Sequence, residues 1–190
     1  MDIEEIVTRC KLGEKEAFRE LFQIVEKKAL ATAYFLSGNR GIAEDILQET
    51  YMKCFMEINK LQEPQAFKVC FFKILMRTGW KMTKKQSELV PLEITSENEG
   101  LFFDENQEKE NIIDRYEIKH VMRSAINKLS PNLKTVVILY YYNDMTMEEI
   151  SKVTGCFKAT VKSRLFYARA ALKKQLANCF EVESGMSIIK

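Results

Sequence analysis

Apolar residues recur at helical spacing along most of the chain, and in its first half they form three runs. Between residues 14 and about 36, Ala17, Phe18, Leu21, Phe22, Val25 and Ala29 return every three or four positions, the spacing of a helix with one buried face. Ser37-Gly38-Asn39 supplies the stop. A second helix is expected from about 42 to 58 and a third from about 66 to 85, separated by a polar loop, 59–65, that contains Pro64. In the second, Ile46, Leu47, Thr50, Cys54 and Ile58 share the core face, while Asp45, Gln48, Glu49 and Met52 lie toward another. In the third, Phe67, Phe71, Ile74 and Thr78 make an inward stripe, and Val69, Phe72, Met76 and Trp80 make a second. That second stripe either packs on the first helix or forms a working surface, and the pattern favours neither.

Periodicity lapses from 86 to 114, where Pro91, Gly100 and scattered polar residues mark a linker. Leu101-Phe102-Phe103 is an apolar island inside it, of the kind that docks on a neighbouring surface. Four helices are expected beyond. The first covers about 112–128; the second opens with Ser130 as N-cap and Pro131 at the first helical position and ends at Asn143-Asp144. The last two form a helix-turn-helix. Thr146-Met147-Glu148-Glu149 is a capping box, Met145 and Ile150 occupy the positions of a hydrophobic staple, and Gly155 stands where a left-handed residue ends the helix. After the turn, Val161, Leu165, Ala168 and Leu172 fall on one inward stripe. The opposite face is centred on Ala159, Ser163, Phe166 and Ala170, with Lys162, Tyr167 and Lys174 at its margins. Phe157 occupies the cap position of this last helix, where serine, threonine or aspartate would add about 1 kcal/mol.

Composition narrows the class. In 190 residues, 7 glycines and 3 prolines are too few for the turns of an all-β chain, so the fold expected is all-α. It divides into two small helical domains, 1–85 and 115–190, joined by a flexible acidic linker, 86–114. The charges follow that division: the linker sets nine carboxylates against Lys109 alone, whereas the flanks carry net +3 and +7. Five cysteines and the single His120 show no metal-ligand spacing, so no metal centre and no cofactor are expected, and the cysteines are read as reduced. His120 sits in an expected helix as a surface or packing residue rather than a catalyst. The start of the chain is acidic, unlike a signal peptide, and no apolar run approaches the roughly 20 residues of a membrane span. A cytoplasmic protein with no membrane insertion is expected.

One charge feature points to a ligand. Between Glu149 and Glu181 there is no carboxylate, while Lys152, Lys158, Lys162, Arg164, Arg169, Lys173 and Lys174 are all basic. A solvated helix face mixes signs. This one is suited to phosphates, with Lys162, Ser163 and Tyr167 directed at base edges of the major groove.

The string TMEEISKVTGCFKATVKSRLFYARAAL at 146–172 resembles the promoter-reading C-terminal domain of bacterial sigma factors. Thr160-Val161-Lys162-Ser163-Arg164-Leu165 followed by Ala168-Arg169 is similar to the extracytoplasmic-function (ECF) subgroup of the sigma-70 family. Leu129-Ser130-Pro131 and Val137-Ile138-Leu139-Tyr140 also resemble that domain. In the first half, Gly13-Glu14-Lys15-Glu16-Ala17-Phe18-Arg19-Glu20-Leu21-Phe22 resembles the opening helix of the family's N-terminal domain. Ala43-Glu44-Asp45-Ile46-Leu47-Gln48-Glu49-Thr50-Tyr51 resembles the segment that binds the polymerase clamp helices. Ala66-Phe67-Lys68 through Met76-Arg77 is similar to the helix that meets the minus-ten element. Two departures are Cys70, where the family usually has tryptophan, and Thr78, where it usually has asparagine. Gly79, inside a helix, costs about 1 kcal/mol against alanine.

The resemblance implies a region-2-like bundle and a region-4-like four-helix domain. It implies no catalytic residues and no small-molecule substrate, but core RNA polymerase and promoter DNA as partners, and an anti-sigma factor that holds the chain until induction. Asp45, Gln48, Glu49 and Met52 would bind polymerase. Asn59, Lys60, Lys73, Arg77, Trp80 and Lys81 would bind the minus-ten strand, with the 59–65 loop capturing an unstacked base. Lys158, Thr160, Lys162, Ser163, Arg164, Phe166, Tyr167 and Arg169 would bind the minus-thirty-five duplex. The acidic linker would thread the polymerase interior. A stand-alone helix-turn-helix regulator would have no use for the 43–51 segment. An enzyme acting on nucleic acid would need a catalytic constellation that the sequence does not offer. The tail after Asn178, with Phe180, Ile188 and Ile189, is not assigned a role.

Overall fold

The computed structural model describes residues 2–87 and 121–186, and every described element is helical. The chain falls into two compact units, Met1–Phe103 with Glu148–Gly155, and Asp104–Met147 with Cys156–Lys190. The linker from residue 88 onward with its Leu101-Phe102-Phe103 island, His120 and the start of the helix expected from 112 lie outside the described residues. So do residues 187–190 and the side chains of Cys179 and Phe180.

In the first unit, α1 (Ile3–Lys11), α2 (Lys15–Ser37), α3 (Arg40–Glu57) and α4 (Phe67–Ser87) pack around one core. Two single 3-10 turns, Ile58–Lys60 and Pro64–Ala66, bracket the loop between α3 and α4. The three expected helices are present with ends shifted by a residue or two. Gly38 closes α2, its N–H donating to the Tyr34 carbonyl at 2.7 Å, and the Asn39 side chain caps α3 by accepting from Ile42 N at 3.1 Å. A fourth helix, α1, precedes them. Asp2 caps it by accepting from Glu4 N, and its buried face is Ile6, Val7 and Cys10. At nine residues it is too short to hold by itself, and packing on α2 stabilises it.

Aromatic pairs run from the core to its edge, where Phe22 and Tyr51 are half-buried and Phe55 is exposed. Phe22 stacks on Tyr51 at 4.2 Å between centroids, Phe18 meets Phe55 at 4.6 Å, and Phe71 meets Phe72 edge-on at 5.4 Å. Phe72 and Met76 are buried with Phe71 and Leu75, so the middle of the second stripe of α4 is packing, while Val69 at its start is half-buried. Its last member, Trp80, is only half-buried. Gly79 has a specific reason. A Cβ there would lie 2.7 Å from Leu36 Cδ1, so the glycine lets α4 approach the end of α2.

In the second unit, a helix over 121–127 (α5, as far as described) leads to α6 (Pro131–Val137). Ser130 stands at the cap position with Pro131 behind it, but its side chain makes no capping bond, contrary to expectation. The helix also does not run regularly to 142. Ile138–Tyr142 forms a π turn, because both the backbone and the side-chain amides of buried Asn143 donate to the Ile138 carbonyl, at 3.1 and 3.3 Å. Asp144, at φ +50°, completes the break. Leu129, Val137 and Ala168, with Leu133, Ala171 and Leu172 against them, form the core between α6 and α8 (Lys158–Met186). That helix continues well past the stripe that predicted it. α7 (Met147–Thr154), grouped with the first unit from Glu148 onward, buries Ile150 and Val153 and ends at Gly155, whose φ of +69° is left-handed.

Candidate nucleic-acid interface

Phe157 stands at the N-cap of α8, where its carbonyl accepts from Val161 N at 3.1 Å, and its ring is 82% exposed. From there Val161, Leu165 and Ala168 are buried, which turns the opposite face outward. On that face Lys158, Lys162, Ser163, Phe166, Tyr167 and Arg169 are exposed, with Phe166 and Tyr167 68% and 62% accessible and edge-on at 5.6 Å. Thr160 and Arg164 are half-buried. Arg164 turns back on the turn, its Nη1 3.6 Å from Cys156 Sγ. Ser163 Oγ donates to the Ala159 carbonyl at 3.0 Å, leaving its lone pairs outward. Arg169 is held by residues that sequence reasoning missed. Its Nε donates to the Tyr141 hydroxyl at 2.7 Å, and its guanidinium lies 5.9 and 5.7 Å from the Tyr140 and Tyr141 ring centres. The string Tyr140-Tyr141-Tyr142 was the only available signal.

The first unit has two exposed faces and a pocket. On α3, Asp45, Gln48 and Met52 are exposed and Glu49 is half-buried. Phe55 and Met56 follow Met52 at helical spacing and are exposed too, a hydrophobic extension of this face beyond the four residues expected from the sequence. Glu49 pairs with Lys53 at 2.6 Å, and that hydrogen bond holds its carboxyl below the usual carboxylate range. Lys53 Nζ also donates to Thr78 Oγ1 at 3.0 Å, which gives the buried threonine a partner on α3. On α4, Lys73, Arg77, Trp80 and Lys81 share one face; Arg77 and Lys81 are exposed, Lys73 and Trp80 half-buried.

Asn59 and Lys60 are exposed in the loop between the two helices. Beside it opens a pocket of about 370 Å³ lined by Glu57, Lys60, Leu61, Gln62, Glu63, Ala66 and Cys70. Cys70 forms part of its wall. Burial pushes the Cys70 thiol up, and Cys54 behind it is raised to about 12, so both are protonated near neutral pH. Among the described residues no three His, Cys, Asp or Glu side chains cluster to hold a metal ion, and no helix is long and apolar enough to cross a membrane.

The family model described as Sigma-70, region 4, matches residues 119–172, which take in α5 as described, α6, α7 and the first half of α8. The chain is 30% identical over 144 residues to the RNA polymerase sigma factor SigV of Bacillus subtilis, covering 76% of this chain and 81% of that protein. The chain belongs to the ECF RNA polymerase sigma factors of the sigma-70 family. The ECF RNA polymerase sigma factor SigW of the same organism is 26% identical over 182 residues, 93% of this chain and 97% of that protein. In fold, the chain resembles the Bartonella quintana sigma factor RpoE, solved in complex with the anti-sigma factor NepR. The TM-score is 0.68 at 23% identity, over 84% of this chain and 96% of that one. As an ECF sigma factor, the chain binds core RNA polymerase and directs promoter recognition and transcription initiation.

Proposed function

We propose that the sigma factor divides this work among three surfaces. Lys158, Thr160, Lys162, Ser163, Arg164, Phe166, Tyr167 and Arg169 engage the minus-thirty-five duplex. Lys162 and Ser163 address bases, and the remaining cations address phosphates. Asn59, Lys60, Lys73, Arg77, Trp80 and Lys81 engage the separated minus-ten strand, with the 59–65 loop receiving an unstacked base and Trp80 offering a stacking face. Asp45, Gln48, Glu49 and Met52 meet the polymerase clamp. The working division is 1–85 for clamp and minus-ten, 86–114 as an acidic linker through the polymerase interior, and 115–190 for minus-thirty-five. The chain performs no catalytic step of its own and acts in the cytoplasm. An anti-sigma factor covers the DNA faces until induction; the complex in which the Bartonella relative was solved supports this reading.

The observation that carries the proposal is the exposed face of α8, basic and aromatic, in a stretch without a carboxylate from 150 to 180. Run-off transcription tests it: core polymerase with the purified chain should initiate at promoters of the source genome. Paired Gln48→Ala and Glu49→Ala substitutions should impair the complex. A stable complex that both substitutions leave unchanged would overturn the clamp assignment.

A further inference from the structure

The loop between α3 and α4 is tied to α1, a helix that the sequence pattern did not reveal. Lys11, the last residue of α1, donates from Nζ to the Leu61 carbonyl at 2.7 Å, across 50 residues of chain. At the other end of α1, Glu4 accepts from Gln65 Nε2 at 3.1 Å. Helix α1 also packs on both 3-10 turns that bracket the loop. It is itself fixed from behind. Ile6, Val7 and Cys10 are buried, and Arg9 bridges to Glu14, at the N-cap of α2, at 2.8 Å and to Glu20 on α2 at 3.0 Å.

Leu61 is the residue through which this anchoring reaches the pocket. It lines the open pocket together with Lys60 and Gln62. It also lines the small cavity behind, with Cys54, Ile58, Phe67 and Phe71. The bond from Lys11 is charge-assisted, hence stronger than a neutral one. It holds the peptide that forms one wall of the pocket, and a binding constellation left loose by about 1 Å loses much of its grip.

We propose that Lys11 is a positioning residue for strand capture: its bond to the Leu61 carbonyl sets the pocket wall, so that the grip on the minus-ten strand depends on α1. This rests on the proposed role of the 59–65 loop. Glu4, in an exposed contact with Gln65, adds orientation at the rim.

The test uses holoenzyme reconstituted with Lys11→Met or Lys11→Arg. The probe is a fluorescent non-template oligonucleotide covering the minus-ten region of a promoter that the wild type transcribes. Lys11→Met should weaken strand binding by about tenfold, the loss of one hydrogen bond to a charged group. Lys11→Arg, which still donates to the carbonyl, should restore it. Affinity for core polymerase and for minus-thirty-five duplex should be unchanged in both. Wild-type strand binding by Lys11→Met overturns the proposal, and so does a parallel loss of core binding, which would mean a general folding role. A Lys60→Ala/Gln62→Ala double variant separates the two levels. If it leaves strand binding intact, the reading of the loop itself fails; if it weakens binding while Lys11→Met does not, only the role of Lys11 fails.

Discussion

The exposed face of α3 and the exposed face of α8 are both helical surfaces that the core leaves outside, yet their chemistry differs. On α3, charges of both signs occur and two pairs are closed internally, Arg40 with Glu44 at 2.8 Å and Glu49 with Lys53 at 2.6 Å. Around them Met52 and Met56 stand 65% and 66% exposed beside Phe55. On α8 as far as residue 180 the charge has one sign, and the large exposed apolar groups are aromatic. A surface of thioether and phenyl groups among a few oriented carboxylates suits a protein partner, where methionine adapts and buried polar groups find complements. An acid-free basic surface suits a polyanion. The difference teaches that exposure alone says little about a partner; the sign and pairing of the charges around the exposed apolar groups say more.

The comparison breaks most sharply at Met52. Met52→Asp should weaken binding to core polymerase by about 2–3 kcal/mol if the residue anchors the proposed clamp contact, with minus-thirty-five duplex binding unchanged. Competition between wild type and variant for a limiting amount of core measures this, and equal competition would remove α3 from the interface. On the other side, Lys162→Ala and Ser163→Ala should each cost about 1–3 kcal/mol on the preferred duplex and relax its base preference, with core binding intact. Equal losses on every duplex, measured as a function of salt, would reduce these residues to phosphate contacts.

The smallest effect concerns the Glu49–Lys53 pair. Lys53 depresses the Glu49 carboxyl below its unfolded value, so the stabilisation is complete above the ordinary carboxylate range and is lost as pH falls through the folded value. For a pair this exposed it amounts to roughly 0.2–1 kcal/mol. The Tm difference between wild type and Glu49→Gln should therefore close as the solution is acidified. A difference independent of pH would mean that Glu49 stabilises the fold in some other way.

Much of this was legible beforehand. The periodic runs located α2, α3 and α4 within a residue or two, and the inward stripe of α8 placed Lys162, Ser163, Phe166 and Tyr167 on the outer face. Helix α1 went unseen although Asp2, Ile6, Val7 and Cys10 carry its cap and face, because nine residues make a weak periodic signal. The π turn at Ile138–Tyr142 was equally hidden, since it depends on where the buried amide of Asn143 finds an acceptor. In the candidate sites, the residue types were visible, but their partners were not. The string itself does not couple Arg169 to Tyr141, Lys53 to Thr78 or Lys11 to Leu61.

By itself, then, the sequence determined the helical class, the acid-free face of α8, the acidic 86–114 stretch and the family. Each of these depends on residues close together in the chain or on simple counts of charge. Tertiary structure alone decided that Phe72 and Met76 are core, that Gly79 makes room for Leu36, and that α1 holds the loop beside the pocket. The physical reason is the same in each case. Periodicity states which side of a helix avoids water, but not which neighbour that side meets, and these features depend on neighbours far away in the chain.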